Sequence, residues 1–71
     1  MFIGISKLDA DHKKTDRGDV FIATNHIVKV DKNEQRFGDE DCKLVVYLSD
    51  GSTEVVVGKE TYDFHALLTK Q

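Results

Sequence analysis

The residues of this chain whose types could do chemistry are His12, His26 and His65, Cys42, a cluster of aspartates and a short basic run beside it. None of the three histidines has a spaced partner that makes a zinc motif. Asp9, Asp11, Asp16 and Asp19 carry the hard oxygen ligands that calcium prefers. An EF-hand loop counted from Asp9, however, needs glycine at its sixth position and glutamate at its twelfth, where this chain has Lys14 and Val20. Lys13, Lys14 and Arg17 also neutralise that cluster, so no metal site is expected. Cys42 is flanked by Asp39, Glu40 and Asp41 rather than by the bases that activate a thiol, and it is read as structural. Gly51-Ser52 belongs to a hairpin rather than to a strand-to-helix elbow, and Gly4, Gly18 and Gly58 stand alone rather than in a phosphate-binding loop. The expectation is a non-enzymatic protein with no catalytic residues and no cofactor.

The elements that must position any site are strands. Phe2, Ile3, Ile5 and Leu8 predict a first strand, in which Gly4 marks a bulge or a close backbone approach. Residues 9–19 are polar throughout and read as a loop. Residues 20–23 form a short β-rich run, Thr24-Asn25 turns or bulges the chain, and Ile27, Val28 and Val30 continue as strand. Residues 31–41 form a second charged loop. Leu44 to Val57 then forms a tight hairpin turning at Asp50-Gly51, a leading signal for a type I′ turn. A two-residue loop pairs Val46 with Val55 and Leu44 with Val57 on one apolar face, and Tyr47 with Glu54 and Val45 with Val56 on the other. A three-residue loop would set Glu54 opposite Val46 on the apolar face, so the first register is preferred. Thr61 is a candidate helix N-cap, and Phe64, Leu67 and Leu68 make one apolar stripe of a short terminal helix.

The predicted fold is therefore mainly β with one short C-terminal helix: a single domain over residues 1–71, with an antiparallel, SH3-like sheet or partial barrel of about five strands. The chain carries 13 acids against 10 basic residues, a net charge of -3, with the two signs interspersed. That balance argues against nucleic-acid and anionic-membrane partners. No window approaches the ~20 apolar residues of a membrane span. No secretory leader is evident, and a single cysteine cannot form an internal disulfide, so a cytoplasmic location is expected.

The second hairpin face, with Val45, Val56 and the Tyr47 ring, is too apolar for ordinary solvent-facing sheet. This points to protein–protein contact through Tyr47, Val45, Val56 and Glu54, with the acidic patch Asp39, Glu40 and Asp41 as a secondary contact that steers a basic partner. The expected function is an interaction module, a regulator or inhibitor of bacterial or phage origin that can also form a homo-oligomer. The alternative is a small-ligand or nucleotide-binding protein with a site between protomers, in which His12, Lys13, Lys14 and Arg17 bind the anion.

Residues 20–30, Val-Phe-Ile-Ala-Thr-Asn-His-Ile-Val-Lys-Val, followed by an apolar strand, Asp-Gly, a valine-rich strand, Lys-Glu-Thr and a helix with Leu-Leu, resemble small FlbD-like proteins of flagellar operons. The chain departs from that pattern where Asn25 is not followed by proline and where residues 33–42 are inserted. The resemblance implies a compact, SH3-like sheet with a terminal helix, and no catalytic residues.

Overall fold

The computed structural model describes residues 1–8, 11 and 13–70, with the backbone course alone for 14–17. β-Branched and aromatic residues are concentrated in the strands, the residue types that suit a pleated, half-buried surface. The elements run β1 (Phe2–Leu8), β2 (Lys14–Ala23), a 3-10 turn (Thr24–His26), β3 (Ile27–Lys32), β4 (Lys43–Leu48), β5 (Thr53–Val57) and α1 (Glu60–Thr69). β1 and β2 form an antiparallel ribbon, and β3-β4-β5 form an antiparallel sheet in that order. No ladder among the described residues joins ribbon to sheet, so the strands do not close into a barrel.

The core lies where the ribbon, the sheet and the helix converge. Ile3 and Ile5 from β1, Ile22 from β2, Leu44 and Val46 from β4, Val56 from β5 and Phe64 from α1 form one buried cluster. Val20, Leu48, Leu67 and Leu68 pack on its rim. In β1 the alternation is clean: Ile3 and Ile5 are buried while Phe2 and Gly4 face out.

Two expectations about the first half need correction. The chain is already extended from Lys14, so the polar stretch 14–19 belongs to β2 rather than to a loop. The ladder there slips: Ser6 pairs with Asp19, but Leu8 pairs with Lys14. Gly18, at φ 102°, absorbs that irregularity in a backbone conformation that a side chain would strain. The loop after β3 is also more structured than its charge suggests. Asp39 N–H donates to the Arg36 carbonyl, Cys42 N–H to the Asp39 carbonyl, and Phe37 packs against the core. Its ring stacks on His65 of the helix at 4.1 Å.

The hairpin has the other register. Gly51 N–H donates to the Leu48 carbonyl at 3.0 Å and Leu48 N–H to the Ser52 carbonyl at 2.9 Å. Ser49, Asp50 and Gly51 thus form a three-residue loop, with Gly51 in the left-handed region at φ 88°. Asp50 fixes this choice: its carboxylate accepts both the backbone N–H and the hydroxyl of Ser52. Leu44 therefore faces Val56, Val45 faces Val55, Val46 faces Glu54 and Tyr47 faces Thr53. A one-residue slip exchanges every β5 side chain between faces. Val56 is buried in the core at 1 % exposure, and Glu54 lies on the core side.

The helix begins one residue before the expected cap. Thr61 sits inside its first turn, fully buried, where its hydroxyl donates to the Gly58 carbonyl at 2.7 Å and accepts Gly38 N–H at 2.8 Å. A polar group at 0 % exposure is thereby satisfied, and it joins the 33–42 loop to the β5–α1 turn. Glu60 joins the helix to the ribbon: its carboxylate accepts Ser6 N–H at 2.9 Å and the Ser6 hydroxyl.

Candidate functional site

The outward face of the ribbon carries the most exposed aromatic side chains of the described core strands. Phe2 is 67 % exposed and Phe21 is 66 % exposed. They are diagonal neighbours, because Phe2 pairs with Ala23 and Gly4 with Phe21. The Phe21 ring lies across Gly4: a Cβ at Gly4 would stand 3.0 Å from Phe21 Cε1. The glycine in β1 therefore marks a close approach, one of the two readings open from the sequence, and it makes room for the ring.

These rings border an open cleft of about 530 Å³ between the ribbon and the turn end of the β4–β5 hairpin. Val20 and Leu48 supply further apolar lining, and Glu54, Asp50, Ser49 and His26 supply the polar groups. A neighbouring hollow of about 410 Å³, along Ser6 to Leu8 and Val55, shares Val20 and Glu54 as walls. Glu54 thus stands between the two openings, half-buried. Its carboxylate makes no hydrogen bond or ion pair among the described residues.

His26 Nδ1 and Ser49 Oγ lie 3.0 Å apart at the cleft edge. A serine–histidine pair invites a test for nucleophilic chemistry, which also needs a group to orient the base. Asp50 is next in the chain, but its carboxylate is held by Ser52. Those bonds, the side-chain one first, hold the Asp50 carboxyl below its ordinary value of 3.8, and His26 adds a small attraction. The pair is exposed, and no third group among the described residues aligns the ring.

The interface residues expected from sequence do not share one surface. Val45 and Tyr47 lie on the outer face of the sheet with Val55 and Val57, all half-buried. Lys29 sits 4.7 Å from the Tyr47 ring centre and 3.7 Å from Asp31, which screens part of that face. Val56 is core, unable to meet a partner, because the hairpin register turns it inward. Glu54 lies in the cleft. Asp39, Glu40 and Asp41 are exposed, but they precede β4 at the end of the hairpin opposite the turn, away from Glu54. Of the alternative anion-binding set, His12 and the side chains of Lys14 and Arg17 lie outside the described residues, while Lys13 is exposed. Cys42 is buried, with its thiol 3.8 Å from the Gln35 carbonyl.

Sequence reasoning missed Phe2, Phe21 and the His26–Ser49 pair. Phe2 and Phe21 were read only as strand formers, and their shared outward face follows from the β1–β2 register. The histidine and serine are 23 positions apart and meet only in the fold.

Among the described residues no group of three or more His, Cys, Asp or Glu is placed to hold a metal ion, and no helix is long and apolar enough to cross a membrane. No family model, no curated protein and no solved structure matches the chain.

Proposed function

We propose that this chain is a small, non-enzymatic protein-binding module whose partner seats in the cleft between the β1–β2 ribbon and the β4–β5 turn. The observation that carries this reading is the pair Phe2 and Phe21, two large rings about two-thirds exposed, side by side at the rim of a concave apolar surface. Soluble domains seldom leave adjacent aromatic rings in water, and such rings are the usual anchors of protein interfaces. Glu54 and Asp50 at the same cleft add charge that orients a partner.

A two-stranded ribbon and a three-stranded sheet around one core support an open, SH3-like partial barrel, the shape that the FlbD-like resemblance also implies. On this reading the chain acts in the cytoplasm as a regulator or inhibitor of bacterial or phage origin, by contact and without catalysis. The outer face with Val45 and Tyr47 is then a second, weaker surface, available for self-association.

The test is affinity capture from a lysate of the source organism with the intact chain and with Phe2→Ser/Phe21→Ser as bait. The same partner must be held by the first and lost by the second, with equal folded fractions by circular dichroism. Equal capture by both baits removes the cleft from the function.

A further inference from the structure

We infer that the cleft recognises an arginine side chain on its partner, seated between the Phe21 ring and the Glu54 carboxylate. The inference rests on the cleft being the binding surface and names the chemistry of what enters it. Three features of the cleft converge. The Phe21 ring lies against Gly4, is two-thirds exposed and lines the same cleft as Glu54. Glu54 projects onto the core side of β5, opposite Val46, where water is partly excluded and no described cation answers it. Asp50 lies at the same opening and is kept ionised by Ser52.

The charges around the cleft are unbalanced. Among the described residues its lining includes two carboxylates and neither lysine nor arginine; His26 is the one basic side chain among them, and that ring is engaged with Ser49. A half-buried carboxylate without a partner is costly unless a cation completes it. An aromatic face beside a carboxylate fits a guanidinium better than an ammonium. The guanidinium is planar, stacks on the ring and presents paired donors to the carboxylate, while its methylene stem covers apolar wall. The occupant is thus a basic segment of another protein rather than an acidic or purely apolar one.

The experiment is a two-dimensional amide NMR titration of the full chain with acetyl-Leu-Arg-Leu-amide, with its neutral citrulline counterpart and with acetyl-Leu-Leu-Leu-amide. The expected result is saturable shifts at Phe21, Leu48 and Glu54 with the arginine peptide, and roughly tenfold weaker binding of the citrulline peptide. Glu54→Gln, an isosteric change at a half-buried position, should remove that preference while the spectrum stays folded. Equal binding of all three peptides at the cleft overturns the arginine assignment and leaves the cleft a protein-binding surface. Shifts at the cleft that follow protein concentration without peptide overturn it in favour of a second copy of the chain. Peptide-induced shifts confined to other surfaces, or none anywhere, overturn the arginine assignment and count against the cleft as well.

Discussion

Glu54 stands directly opposite Val46 in the β4–β5 ladder, a carboxylate across from a side chain with no exposure at all. The pairing follows from the three-residue turn: with Gly51 in the left-handed region, β5 is set one residue from the register that would align Val46 with Val55. The hairpin thus gives up an apolar pair and places a charge beside the cleft. Residues that serve binding at the expense of stability are a recurring signature of functional surfaces.

Glu54→Val should therefore stabilise the fold, by about 0.5–1.5 kcal/mol in urea denaturation, while weakening partner capture. A variant less stable than the parent would mean that the Glu54 carboxylate makes a stabilising contact in the free protein.

The register itself is open to a paired test. Val56→Ala removes two methyl groups from the core and should cost about 2 kcal/mol. Val55→Ala, on the half-buried outer face, should cost under about 1 kcal/mol. The reverse order would place Val55 inward and restore the two-residue turn.

Thr61→Val keeps the shape of a buried side chain and removes its hydroxyl. Gly38 N–H loses its acceptor and the Gly58 carbonyl loses its donor, so the change should cost about 1–3 kcal/mol. Thr61→Ser keeps both bonds and should lie closer to the parent. Thermal unfolding of the two variants separates the hydroxyl from the packing.

The Asp50 turn has a pH signature. Ser52 lowers the carboxyl below its ordinary value of 3.8, so the folded state holds the proton less tightly than the unfolded chain does. Its contribution is then complete above that ordinary value and is lost as pH falls through the lower folded value. The Ser52 amide proton resonance should titrate in that acid range, and Asp50→Ala should abolish the titration. A midpoint at or above the ordinary value would contradict the turn geometry.

Much of the fold was legible in the residues because alternation and turn chemistry agree. β1, β3, the hairpin strands and the Phe64-Leu67-Leu68 helix follow from spacing alone. The start of β2 was not legible, since residues 14–19 are polar and their strand is imposed by pairing with β1. The register was misread because Asp-Gly suits two hairpin types, and matching valines favoured the wrong one. What decided it was the Asp50–Ser52 contact, which acts within the turn and is blind to strand polarity. Phe37 was hidden inside a charged loop, yet it packs on the core and stacks on His65. Of the expected interface, Glu54 alone reached the cleft. Phe2 and Phe21 alternate as buried strand residues would, and only the assembled ribbon reveals that they face outward.

In the proposed complex the exposed Phe21 ring contacts the partner. Gly4→Ala tests it most directly, because the added Cβ would stand 3.0 Å from Phe21 Cε1 and displace the ring without altering any cleft side chain chemically. Quantitative capture of the partner, measured beside thermal unfolding, should show binding reduced severalfold with the unfolding midpoint nearly unchanged, since an exposed ring can swing away cheaply. Full binding by Gly4→Ala with the ring demonstrably displaced would remove Phe21 from the interface.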